Sequence, residues 1–133
     1  MGQMMKRAAI FVVLMLAMQS VQARAFDFTF DWGNIPKCTS GNPNTVLNPA
    51  FILSSVPSGT AKISFQLKDT NVPDFKHGGG SVNYLGADSI PSGAFKYLSP
   101  CPPDGTHLYK WTAVATDKAG KKLGTATARK PYP

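Results

Sequence analysis

Residues 26–32, Phe-Asp-Phe-Thr-Phe-Asp-Trp, alternate aromatic and polar side chains with a period of two. That period predicts a strand with Phe26, Phe28, Phe30 and Trp32 on one buried face. The alternation returns over residues 62–69, where Ile63, Phe65 and Leu67 point inward and Ser64, Gln66 and Lys68 outward. This second strand ends on Asp69 and so leaves a carboxylate at a strand terminus. Shorter apolar runs at 50–53, 81–85 and 94–98 read as further strands. Residues 108–116 and 123–129 read as a hairpin around the turn 117–120. Loop chemistry separates these runs, over residues 33–45, over the Val56-Pro57-Ser58-Gly59-Thr60 turn and over the irregular stretch 70–80. No segment after Met18 carries a 3.6-residue period. The pattern predicts an all-β domain of about six or seven short strands, hence a sandwich or open barrel.

The first 25 residues follow a different pattern. A charged start (Lys6, Arg7), an apolar run over residues 8–18 and the small-residue end Ala23-Arg24-Ala25 make the outline of a secretory signal peptide. The run is about half as long as a helix needs to cross a bilayer. The expectation is therefore a leader over residues 1–25 and one β domain over 26–133, exported to a periplasm or secreted. Taking Lys6, Arg7 and Arg24 from the 14 basic residues leaves a net charge of +4 against 7 acidic ones, all aspartate. The mature chain is mildly basic, and no basic run is interleaved with aromatics, which argues against a nucleic-acid partner. Attraction to an anionic membrane surface is compatible with this charge. The two cysteines, Cys38 and Cys101, both lie in the exported part, and an even count in an oxidising compartment reads as one disulfide.

The most unusual stretch is residues 99–109, Ser-Pro-Cys-Pro-Pro-Asp-Gly-Thr-His-Leu-Tyr. Pro100, Pro102 and Pro103 each fix φ and remove a backbone donor, so the segment is stiff and lies outside a ladder. Asp104-Gly105 supplies a turn. A rigid loop tied by Cys101 then presents His107 and Tyr109 at a strand mouth, where little freedom is left to lose on binding. Two histidines can give N–H donors to an anion, and Asp69 can orient one ring by accepting its other N–H. Gly78-Gly79-Gly80 permits close approach of backbone N–H groups, as in an anion nest.

Asp69-Thr70-Asn71-Val72-Pro73, then His77, then the 99–109 segment resembles the phosphatidylethanolamine-binding, Raf-kinase-inhibitor-like proteins, over roughly residues 48–117. Asn71 stands where the family usually has Asp, and Gly78-Gly79-Gly80 where an aromatic usually follows the histidine. The resemblance implies an antiparallel two-sheet sandwich of that type, with few or no helices after the leader. It also implies a small pocket for a phosphate or phospholipid head group, lined by Asp69, Pro73, His77, Pro100, Pro102, His107 and Tyr109, to which the glycine run adds Gly78 as an expected ligand-binding residue. No cofactor and no metal are expected, and the binding is expected to be non-enzymatic. Three other readings stand beside it. A metal site of Cys38, Cys101, His77 and His107 lacks knuckle spacing, and export favours the disulfide. A hydrolase triad of Ser81, Asp69 and His77 or His107 misses the G-x-S-x-G pattern at Asn83. An interaction or inhibitor protein acting on a protein partner predicts an exposed apolar patch away from the pocket.

Overall fold

The computed structural model describes residues 24–133 together with Ala17. Most of the expected leader therefore lies outside the described residues. Nine strands follow in chain order: β1 (Asp27–Phe30), β2 (Thr45–Leu47), β3 (Phe51–Ser54), β4 (Lys62–Asp69), β5 (Gly79–Asn83), β6 (Ser89–Ile90), β7 (Lys96–Leu98), β8 (His107–Thr116) and β9 (Lys122–Tyr132). All strand pairs are antiparallel. They form a four-stranded sheet ordered β5-β4-β8-β9, a three-stranded sheet ordered β1-β3-β6 and a two-stranded ladder β2-β7. The described residues contain no helix. The expected all-β fold is what the chain adopts.

One shared core joins the layers. Phe51 of β3 stacks on Phe65 of β4 with ring centroids 4.2 Å apart and meets Trp111 of β8 edge-on at 5.3 Å. Phe51, Ile63 and Trp111 are fully buried, and Tyr97 of β7 packs on Trp111 from the two-stranded ladder. Aromatic pairs in these geometries add about 0.5–1.5 kcal/mol each beyond the area they bury.

Several boundaries depart from the expectation. The first strand stops at Phe30, and Trp32 is half-buried, its Nε1–H donating to the Pro131 carbonyl. Thr45–Leu47, at the end of the loop read over 33–45, and Ser89–Ile90, inside a loop, are strands that were not expected; at three and two residues they are too short to show a period. The strand expected from 81 begins at Gly79, because its glycines let the backbone close on β4. The last strand runs on through Pro131 to Tyr132, which the ladder tolerates because β9 is a sheet edge.

Candidate functional site

The ends of β4 and β8 meet where Asp69 pairs in register with Tyr109. Alternation along both strands turns Asp69, His107 and Tyr109 inward, and all three are buried. Behind them the disulfide Cys38–Cys101 is formed, as expected, across a sequence separation of 63. It fixes the proline loop with help from the Gly41 N–H, which donates to the Cys101 carbonyl at 3.1 Å. The Cys38 N–H donates to the Tyr132 hydroxyl at 3.0 Å, so the end of β9 is tied to the same corner.

Two carboxylates hold His107. Asp69 Oδ2 lies 2.6 Å from Nδ1, and Asp104 Oδ1 lies 2.9 Å from Nε2. The bond to Asp69 raises the imidazole pKa above its ordinary value against the opposing effect of burial, and Asp104 adds to the rise. For Asp69, burial pushes the pKa up. The His107 bond and the amides of Asn71 and Val72 outweigh it and hold the carboxyl below its usual range. Each ring nitrogen faces a carboxylate oxygen, an arrangement that favours the imidazolium with both N–H groups donated. Asp69 is nearly inaccessible, but the Asp104 side chain is 78% exposed.

His77 is in the opposite state. Its Nδ1 lies 2.8 Å from the Leu98 carbonyl, which fixes Nδ1 as the donor. Burial lowers its pKa, which favours the neutral ring with Nε2 left as an acceptor. In this tautomer His77 offers a ligand an acceptor, where the sequence suggested a donor. Tyr109 stays protonated, its pKa raised by burial and by the neighbouring Asp69.

These side chains line a cavity of about 210 Å³. Of the expected residues it brings together Asp69, His77, Pro102, His107 and Tyr109. It does not include three others. Pro73 is exposed on the surface, Pro100 is buried behind the loop, and Gly78 borders a separate hollow with Gly79 and Gly80. The glycines do not form a nest. Gly79 and Gly80 pair with Gln66 and Phe65 of β4, and a Cβ on Gly79 would stand 1.8 Å from the Phe65 carbonyl oxygen. Val72, Phe75 and Pro103 also line the cavity; Val72 and Pro103 stand inside the two motifs and Phe75 between them, and none was expected as a site residue. Phe75 packs on His77 with centroids 4.6 Å apart.

Asn71 donates nothing to the cavity; its Oδ1 accepts the Leu108 N–H at 2.9 Å. Ser81 is on the outward face of β5, its Oγ 2.8 Å from Ser64 Oγ, and so meets neither histidine. The hydrolase triad is not assembled. A larger hollow of about 780 Å³ lies elsewhere, between β1, β2 and β3, with Asp31 and Lys130 paired at 3.2 Å. The smaller cavity holds the polarised chemistry.

No family model matches the chain, and no curated protein matches it by sequence. Among solved structures, a proposed phosphatidylethanolamine-binding protein homologue from Chlamydia trachomatis is similar, with a TM-score of 0.54 and 19% identity. The match covers 82% of this chain and 97% of that one. At this identity the likeness shows the fold alone: the chain has an all-β fold like that of this structure.

Proposed function

We propose that a chain with this fold is a non-enzymatic binding protein, taking a small anionic ligand such as a phosphate or phospholipid head group in the cavity at the ends of β4 and β8. One observation carries the reading. His107 is fixed from behind by Asp69, and its outward N–H already holds an anionic oxygen, that of Asp104, at 2.9 Å. Asp104 is exposed, so a ligand oxygen can take over this hydrogen bond once the side chain swings out. Pro102, Pro103, Val72 and Phe75 would wall the ligand, with neutral His77 accepting from a ligand hydroxyl or ammonium. Tyr109, kept protonated, is a donor and not a nucleophile. The disulfide fits an oxidising compartment, and we place the mature protein in a periplasm or outside the cell.

Titration of the protein with inorganic phosphate and with O-phosphoethanolamine, followed by amide and imidazole NMR, tests this. Saturable shifts at His107, His77 and Phe75 are expected, and they should vanish in His107→Gln. Asp104→Asn removes the competing carboxylate and should tighten phosphate about two- to fivefold, the range of an exposed charge interaction. Shifts that persist in His107→Gln would refute the reading. A second reading, an interaction or inhibitor protein, has one specific support: Leu47 and Ile52 are 51% and 57% exposed beside the larger hollow. Partner binding lost in Leu47→Ser/Ile52→Ser with the phosphate shifts intact would favour it.

A further inference from the structure

The outer face of the four-stranded sheet carries an arrangement that the cavity does not use. The register sets Lys68 of β4 opposite Lys110 of β8, and Lys110 opposite Arg129 of β9. Three cations therefore stand in one row across strands about 4.8 Å apart, and like charges in cross-strand register destabilise a sheet. Lys68 and Arg129 are exposed and Lys110 is half-buried. Among the described residues none of the three forms an ion pair.

The rows that follow along the strands are uncharged and, apart from Val114, polar. Gln66, Thr112 and Thr127 form the next, and Ser64, Val114 and Thr125 the one after, with Ser81 beside Ser64 on β5. Cations then return, Lys62 and Lys122 on either side of Thr116, about 20 Å from the first row at the usual strand rise. None of the outward positions of β4, β5, β8 and β9 is an aspartate.

We propose that this face docks an extended anionic polysaccharide bearing sulfate or phosphate groups. Its anionic groups would meet Lys68, Lys110 and Arg129 and relieve their mutual repulsion. Its hydroxyls would meet the Ser, Thr and Gln rows between the cations. The face has no aromatic side chain on which nucleobases stack. Apart from Leu108 at its rim, it has no exposed large apolar side chain to enter a bilayer. The surface is independent of the cavity, since Asp69, His107 and Tyr109 point to the other side of the same strands.

The test is binding of the purified protein to dextran sulfate across a salt series, with neutral dextran as the comparison. Retention on dextran sulfate alone is expected, weakening steeply as salt rises. The triple variant Lys68→Gln/Lys110→Gln/Arg129→Gln should lose roughly tenfold or more in affinity, as expected for three lost anion contacts. Lys118→Gln/Lys121→Gln, in the β8–β9 turn, should bind as the wild type. A triple variant that binds like the wild type would overturn the proposal. So would a single-stranded oligonucleotide or a phosphatidylglycerol vesicle held more tightly than dextran sulfate through the same three residues. Because Gln relieves the charged row, Lys110→Gln should also raise Tm at low salt, with the difference closing at high salt. A lower Tm at low salt would count against the row being a strained, retained feature.

Discussion

At the scale of single residues, His107 sets how the fold responds to pH. Its folded-state pKa lies above the ordinary value of 6.5, through Asp69 first and Asp104 in addition. A group raised on folding stabilises the fold fully below its unfolded pKa and loses that contribution as pH rises through the folded one. Asp69, lowered from 3.8, works in the reverse direction: its contribution is present above its unfolded pKa and is lost on acidification. His77, lowered by burial, adds a loss on acidification below about 6.5, so calorimetry in steps from pH 3 to 9 should find a Tm maximum near about 6.5 between acid and alkaline declines. In His107→Gln that alkaline decline should disappear, and a persisting decline would place the proton elsewhere. Asp69 and His107 were legible because motif residues at strand termini turn inward together. Asp104 was not: a turn signal accounts for its Asp-Gly dipeptide, and its bond to His107 Nε2 depends on how the loop closes. The orientation of the His77 ring was equally hidden, because its Nδ1 is held by the carbonyl of Leu98, a partner that no spacing in the sequence identifies.

At the scale of elements, the three glycines 78–80 separate conformational need from packing need. Gly78 has φ +80° with open space around it, so Gly78→Ala carries mainly the strain of a left-handed backbone, about 1–2 kcal/mol. Gly79 has an ordinary backbone but no room, since an added Cβ would run into the β4 backbone. Gly79→Ala should therefore separate β5 from β4 and lose about 3 kcal/mol or more, at the upper end of overpacking effects. Urea unfolding of the two variants checks the order; equal losses would mean that β5 moves aside at little cost. The glycine run suggested close approach, and close approach is what it provides, but to a neighbouring strand. Long alternating runs were readable for the same reason that short ones were not. Lys62–Asp69 matches its expected bounds, since four inward positions in sequence leave only one register that buries them. Ser89–Ile90 has no period at all, and only its pairing with Phe51 and Ile52 makes it a strand.

At the scale of the whole molecule, the disulfide decides whether the cavity outlives a local loosening of the fold. Cys38 and Cys101 close a loop over a separation of 63, for which loop-closure entropy gives about 4 kcal/mol, on the model that attributes disulfide stabilisation to the unfolded chain. That is a large share of the 5–15 kcal/mol or so that keeps a typical domain folded. The two ends of the loop lie in different environments. The four-stranded sheet is held by its own ladders and by buried Phe65 and Trp111, none of which needs the cysteines. The cavity wall does need them, because Cys101, Pro102, Pro103, Gly41 and Pro43 belong to two segments with few ladder bonds, joined chiefly at this bridge. The double variant Cys38→Ser/Cys101→Ser should therefore lose stability in two stages. Its urea midpoint should fall by an amount equivalent to about 4 kcal/mol. Amide exchange should then quicken first in residues 38–44 and 99–107, while the amides of β4 and β8 stay protected until global unfolding. Uniform loss of protection would mean that the wall and the sheet form one cooperative unit. Unchanged protection at 99–107 would mean that the prolines and the Gly41–Cys101 hydrogen bond hold the wall alone, and the bridge would then serve the unfolded chain only.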